Sequence, residues 1–92
     1  MARVLNKHHH GVPPNALYCG RGSRAGNPFK IGRDGTRDEV CDRYEEWAPR
    51  QSWWHDFLVE AQGRDLVCFC APLRCHCDFI LREAAALGGE HG

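Results

Sequence analysis

The sequence predicts a small α/β domain with a short, mostly parallel three-stranded sheet packed with about three helices. Three short apolar stretches, Ala2–Leu5, Ala16–Cys19 and Leu66–Cys70, have the length of β-strands. Amphipathic segments with helical spacing lie between the second and third stretches and after the third. Strands that alternate with helices are typical of α/β layers, in which the sheet is largely parallel.

The 92 residues form one domain, with an expected ordered core over residues 1–87 and a tail over 88–92. Hydrophobic residues make up 42% and charged residues 26%, which is the balance of a soluble globular protein. Twelve Lys and Arg residues balance twelve Asp and Glu residues. The overall charge therefore gives no reason to expect nucleic-acid binding.

No apolar stretch has the length of a membrane helix or of a signal-peptide core, so we expect a cytosolic protein without membrane association. The six cysteines would suit disulfides in a small secreted chain. In a reducing compartment they are instead expected to be thiols or metal ligands.

The first predicted strand, Ala2–Leu5, ends just before Asn6. Residues 7–15 are predicted to be a loop, because two prolines, a glycine and an asparagine interrupt them. The second strand, Ala16–Cys19, leads into what we call the glycine-rich loop, residues 20–36, with five glycines and four positive charges.

The glycine-rich loop contains a pattern that resembles a dinucleotide-binding fingerprint, Gly20-x-Gly22-x-x-Ala25. That fingerprint requires a helix directly after it, and the residues that follow here are Gly, Asn and Pro, so we reject this interpretation. Successive backbone N–H groups can still surround an anion. Four side chains would complete such a pocket: Arg21, Arg24, Lys30 and Arg33. A solvated loop with ordinary surface charges is the alternative.

Thr36 begins the most clearly marked helix, because Thr36 and Glu39 form a capping box. Pro49 stops or kinks this helix. Ser52 is predicted to cap a second helical segment, which Gly63 ends. The apolar stripe of that segment is largely aromatic, which at helical spacing indicates core rather than a base-stacking platform.

The third strand, Leu66–Cys70, is followed by a turn at Ala71 and Pro72 and by a helix from about Cys75 to Leu87. Ligands of parallel sheets bind outside the carboxyl ends of the strands. Asn6, the glycine-rich loop and the turn after the third strand each follow a strand. We therefore expect them to converge on one site.

A cluster of cysteines and one histidine occupies the segment between the third strand and the last helix. Side chains alternate along a strand, so Cys68 and Cys70 are expected on the same face. Cys75 and His76 open the helix, where unpaired N–H groups stabilise thiolates. Thiolates with one imidazole suit zinc, and we predict zinc ligands at Cys68, Cys70, Cys75 and His76.

Two other interpretations of the cluster remain open. The spacing differs from the paired knuckles of structural zinc sites, and the adjacent residues Cys75, His76 and Cys77 cannot all reach one ion without strain. The cysteines can instead be buried or site-lining thiols, as expected for Cys19 and Cys41. A thiol activated by His76 is the third interpretation.

Two motifs, GNPF at residues 26–29 and CFCAPLRCHCD at residues 68–78, occur together in this chain. In this pairing, over Val4 to Leu87, the chain resembles a family of small proteins from bacteriophage and bacterial genomes, catalogued as a domain of unknown function. The resemblance implies no reaction. It implies these motif positions: Asn6, Gly20, Arg21, Gly26, Asn27, Pro28, Phe29, Gly32, Cys68, Cys70, Pro72, Cys75, His76 and Asp78. The family favours glycine in place of Cys77 and an aliphatic residue in place of Cys19, which argues against a role for these two thiols.

We predict a phage-encoded binding domain in the host cytosol for a small anionic, nucleotide-like ligand, assisted by zinc. The predicted ligand-binding residues are Asn6, Arg21, Ser23, Asn27, Arg33 and Asp78. An enzyme that processes a nucleotide or nucleic acid through the same Cys, His and Asp groups is the second hypothesis. The third is a host-interaction protein that binds a bacterial partner and whose cysteines are structural.

Overall fold

The computed structural model describes residues 3–20, 22–70 and 73–87, which fold as a mixed α/β domain. A three-stranded parallel sheet packs with helices, as the sequence predicts. In chain order the elements are β1 (Val4–Asn6), α1 (Lys7–His10), β2 (Leu17–Tyr18), α2 (Arg37–Trp47), a 3₁₀ turn (Ala48–Arg50), α3 (Trp54–Ala61), β3 (Leu66–Cys68) and α4 (His76–Leu87). The predicted tail over 88–92 lies outside the described residues.

Strand β3 lies in the centre of the sheet, in the order β1-β3-β2. Leu66 of β3 is in register with Val4 on one side and with Leu17 on the other. All three residues of β3 are buried, which is typical of the central strand of a parallel sheet. The topology therefore places the carboxyl ends of all three strands at one edge.

Helix α2 begins as the sequence predicts. The Thr36 hydroxyl accepts from the Glu39 N–H at 3.2 Å, and the Glu39 carboxylate accepts from the Thr36 N–H at 2.8 Å, which completes the capping box. Pro49 lies in the 3₁₀ turn that ends α2. The prediction that Ser52 caps the next helix is wrong, because Trp53 occupies the N-cap of α3 and makes no side-chain cap.

Tyr44 of α2 lies at the centre of the core, fully buried, and its hydroxyl donates to the Ala25 carbonyl at 2.7 Å. Trp54 of α3 stacks on Phe79 of α4, with ring centroids 5.6 Å apart. Phe57 is buried in the same cluster. The prediction that the aromatic stripe forms core is confirmed, and Tyr44 ties the glycine-rich loop to that core.

Residues 7–10 differ from the prediction, because they form the single helical turn α1 rather than loop. Asn6 caps this turn, since its side-chain oxygen accepts from the His8 N–H at 2.8 Å. Strand β3 is shorter than predicted and ends at Cys68. In the described residues, no helix is long and apolar enough to span a membrane.

Candidate metal and ligand site

The segments that follow the three strands meet at the carboxyl edge of the sheet. Asn6, at the end of β1, donates from its side-chain nitrogen to the Phe69 carbonyl at 3.3 Å. Cys19, just after β2, accepts through its carbonyl oxygen from Nε2 of His76 at the start of α4. These contacts show that the segments after the strands meet, as predicted, but Asn6 is not among the residues that line the cavity at this edge.

A cavity of about 230 Å³ lies between the glycine-rich loop, α2 and the segment of residues 68–78, which we call the β3–α4 joint. Ile31 is exposed at its mouth, whereas Cys68 and Cys75 are buried on its inner side. The residues that line it are Gly20, Asn27, Phe29, Ile31, Arg37, Val40, Cys41, Cys68, Phe69, Cys70, Arg74, Cys75 and His76.

Three cysteines of the β3–α4 joint come together, Cys68 at the end of β3, Cys75 just before α4 and Cys77 in its first turn. Their Sγ atoms all lie within 4.8 Å of one another, and those of Cys68 and Cys75 are 3.2 Å apart. All three are buried, with exposed fractions of 1%, 4% and 0%. These three close cysteines can hold a metal ion.

The thiols of this group interact strongly with one another. The hydrogen bond with Cys68, together with burial, raises the pKa of Cys75 to about 12. The pKa of Cys77 is also raised well above its ordinary value, by hydrogen bonds with Cys19, Cys68 and Cys75 and by burial. Closely spaced buried thiolates repel one another, so three thiolates at this position would need a cation to neutralise them.

Cys70 and His76 occupy different positions from these three cysteines. Cys70 is half-buried in the wall of the cavity, and its backbone N–H donates to the Cys68 sulfur at 3.4 Å. His76 is buried against the Tyr44 ring, with centroids 4.8 Å apart, and burial lowers its pKa. Among the described residues, the group of close sulfurs does not include either side chain. Their role as zinc ligands stays a prediction.

Two predicted ligand-binding residues use their side chains to hold the glycine-rich loop. The Ser23 hydroxyl donates to the Gly20 carbonyl at 2.7 Å. The side chain of Asn27 donates to the Val40 carbonyl at 3.1 Å and accepts from the Phe29 N–H at 2.9 Å. Both residues also line a second cavity of about 320 Å³, on the other side of the loop.

Two of the other predicted ligand-binding residues, Arg33 and Asp78, have partners close to them in the sequence. The Arg33 guanidinium bonds to the Asp34 carboxylate at 2.7 Å and to the Pro28 carbonyl at 3.2 Å. Asp78 accepts from the Cys75 N–H at 3.2 Å, as a third-position acid does at a helix start. Arg21 lies outside the described residues. Ligand binding by these residues is a prediction that the geometry does not test.

The family model described as "Domain of unknown function (DUF4326)" matches residues 4–86. The chain belongs to this family. No curated protein and no solved structure matches the chain. The match extends from β1 to the last turn of α4, so the cavity and the three close cysteines lie within the DUF4326 domain.

Two cavity-lining arginines of the DUF4326 domain were not predicted from the sequence. Arg74 forms ion pairs with three carboxylates of α2, at distances of 2.9 to 3.0 Å: Asp38, Asp42 and Glu45. Arg37, in the first turn of α2, donates to the Arg74 carbonyl at 3.2 Å. Arg37 has no ion pair within the described part of the chain. The capping box at Thr36 marks where the first turn of α2 begins in the sequence. Whether Arg37 in that turn lines the cavity depends on how α2 packs, which the sequence does not show.

Proposed function

We propose that this DUF4326 domain binds one zinc ion through Cys68, Cys75 and Cys77, beside a cavity that takes a small anionic, nucleotide-like ligand. The observation that carries the proposal is the convergence of three buried sulfurs within 4.8 Å. The resemblance argues against a role for Cys77, and its place in this group is the reason to include it as a ligand. These cysteines line or adjoin a cavity at the carboxyl edge of a parallel sheet, where ligands of such sheets bind.

The spacing of the sulfurs suits zinc. With Zn–S bonds of about 2.3 Å, tetrahedral geometry places two sulfur ligands about 3.8 Å apart. The observed separations, from 3.2 Å up to at most 4.8 Å, bracket that value. Soft thiolates favour zinc over hard cations such as Mg²⁺ or Ca²⁺, and the bound cation would offset the repulsion between the thiolates.

The lining of the cavity supports an anionic ligand with an apolar part. Phe29 and Val40 contribute apolar side chains to the lining, and Arg37 adds a positive charge. A phosphate beside Arg37 and a flat ring beside Phe29 would use both features, as nucleotides do.

The hypothesis of a thiol nucleophile activated by His76 has less support. Nε2 of His76 already donates to the Cys19 carbonyl, and burial lowers the pKa of the ring.

The proposal also includes the origin of the protein and the compartment in which it acts. The paired GNPF and CFCAPLRCHCD motifs support a bacteriophage-encoded domain that acts in the bacterial cytosol, where a host protein is an alternative partner.

Native mass spectrometry of untagged protein tests the zinc proposal. We expect one zinc per chain in the wild type and none in Cys77→Ser. Cys41→Ser is the matched control, because Cys41 is also a buried thiol but lies outside the group of three. A wild type that takes up no zinc, or a Cys77→Ser variant that retains it fully, contradicts the proposal.

A thermal-shift panel of nucleoside mono- and diphosphates tests the ligand proposal. At least one compound should raise the melting temperature of the zinc-loaded domain, and Arg37→Ala should remove that shift. Arg50→Ala is the control, since Arg50 is exposed in the 3₁₀ turn and does not line the cavity. No shift across the whole panel counts against a nucleotide-like ligand.

A further inference from the structure

The three close cysteines do not face the cavity equally. Cys68 and Cys75 line it, whereas Cys77 is fully buried and is not part of the lining. The thiol of Cys77 instead contacts that of Cys19, which is also fully buried. A metal held by the three sulfurs would therefore have a buried side, towards Cys19, and an accessible side, towards the cavity.

Tetrahedral zinc with three protein ligands leaves a fourth position. Two further cysteines contact the group, Cys19 at the Cys77 thiol and Cys70 through its backbone N–H to the Cys68 sulfur, but neither sulfur belongs to the group whose atoms all lie within 4.8 Å. The Cys19 thiol also donates to the Leu17 carbonyl at 3.6 Å, within its own segment. Cys19 therefore contacts the group through the Cys77 thiol, on the buried side.

From this geometry we infer that the fourth position of the metal opens into the cavity and is filled by an oxyanion of the bound ligand, a phosphate or a carboxylate. This inference rests on the proposed zinc site and adds the way in which the ligand is held. The metal is then part of the binding site, because the ligand's charged group coordinates it directly.

Positive charge for an anionic donor comes from Arg37. Arg74 pairs with three carboxylates of α2, which outweigh its single positive charge, so Arg74 itself offers no charge to a ligand. Arg37 lines the cavity and is held by the carbonyl of Arg74, the residue directly before Cys75. Its guanidinium and the N-terminal end of α4 provide positive charge beside the metal position, as an oxyanion requires.

The size of the cavity is also sufficient. Its volume of about 230 Å³ is several times the share of one water molecule, which is about 30 Å³ in the liquid. A phosphate or carboxylate group can therefore enter together with part of the molecule that carries it.

Visible absorption of the cobalt-loaded domain tests this inference, because the d–d bands of Co²⁺ report coordination and the charge-transfer bands report bound thiolates. We expect wild type and Cys19→Ser to show equal thiolate charge transfer. Inorganic phosphate should shift the d–d bands of both proteins. Arg37→Ala should need about tenfold more phosphate for the same shift, as for the loss of a charge-assisted hydrogen bond. Acetate, titrated in parallel, shows which oxyanion the site prefers.

Two results overturn the inference. The first is a loss of about a quarter of the charge-transfer absorption in Cys19→Ser, which makes Cys19 the fourth ligand and the site closed. Cys19→Ala is the second variant, should the serine protein not fold. The other is a spectrum that neither phosphate nor acetate changes. Failure to bind cobalt at all is a different result, because it removes the proposed metal site itself.

Discussion

The glycine-rich loop and the β3–α4 joint both follow a strand at the same edge of the sheet, but their polar groups are used differently. In the loop, Ser23 and Asn27 bond to backbone groups of the loop and of α2. In the joint, the thiols of Cys68, Cys75 and Cys77 bond mainly to one another, with their pKa values raised where the shift is resolved. The loop groups hold backbone in place, whereas the three close thiols could hold a metal ion.

This difference changes how polar residues of a loop are interpreted. An asparagine or serine among glycines often replaces backbone hydrogen bonds that the loop cannot make for itself. A group of buried thiols is poorly suited to that role, because sulfur is a weak hydrogen-bond partner. We therefore expect loop variants to change stability at constant metal content, and joint variants to change metal content.

Removal of the metal should have the largest effect. A chelator should destabilise the zinc-loaded wild type by about 4 kcal/mol when free zinc had been present at about a thousand times its Kd. Cys75→Ser, which lacks one of the three sulfurs, should show almost no response. Thermal melts with and without chelator measure this difference. If the wild type and Cys75→Ser respond equally to the chelator, the cysteines of the joint do not hold the metal.

Gly26→Ala should cost about 2 kcal/mol, because the new Cβ would lie 2.6 Å from the Gly20 carbonyl oxygen, a backbone atom that has little room to move. Zinc content should stay at one per chain, since the clash is confined to the glycine-rich loop. Urea unfolding and native mass spectrometry measure the two quantities on one sample. A loss of zinc in this variant would show that the loop and the metal site depend on each other.

Asn27→Ala should cost about 1 to 3 kcal/mol, because the Phe29 N–H and the Val40 carbonyl each lose a partner. Asn27→Asp should cost less, since its carboxylate still accepts from Phe29 while the bond to Val40 is lost. Chemical denaturation gives the order of the three proteins. If Asn27→Ala is as stable as wild type but binds phosphate more weakly, Asn27 is a ligand-binding residue rather than a loop support.

Asp78→Ala should have the smallest effect, about 0.5 to 1 kcal/mol, because it removes an exposed acid that caps the start of α4. Glu83→Ala is the matched control, an acid of the same helix without a cap role. Urea unfolding compares the two variants. A complete loss of zinc in Asp78→Ala would show that Asp78 does more than cap the helix.

Much of the fold could be predicted from the sequence, because local signals determine it. Thr36 and Glu39 mark the start of α2, and the stripe with Trp54 and Phe57 marks a core face. The turn α1 escaped prediction because Gly11, Pro13 and Pro14 follow it, and the cap from Asn6 shows why it forms. Trp53 rather than Ser52 is the N-cap of α3. The position of this cap depends on how the chain leaves the 3₁₀ turn.

The candidate site was predicted only in part. Cys68 and Cys75 belong to the group of close sulfurs, but the pairing of Cys68 with Cys70 assumed a strand that continues to residue 70, whereas β3 ends at Cys68. The expectation that Cys75, His76 and Cys77 cannot all reach one ion agrees with the group of close sulfurs, which contains Cys75 and Cys77 without the His76 ring. Cys77 was not predicted as its third member, because Cys75 precedes the first residue of α4 and its position relative to Cys77 does not follow from helical geometry.

Zinc-edge X-ray absorption of the purified, zinc-loaded domain tests the central claim most directly, because it counts the sulfurs bound to the metal. We predict three sulfurs at about 2.3 Å and one lighter atom at about 2.0 Å. Four sulfurs would keep the metal site but close its fourth position with a further cysteine, Cys19 or Cys70. A shell made mainly of nitrogen and oxygen would contradict the claim that Cys68, Cys75 and Cys77 hold the metal.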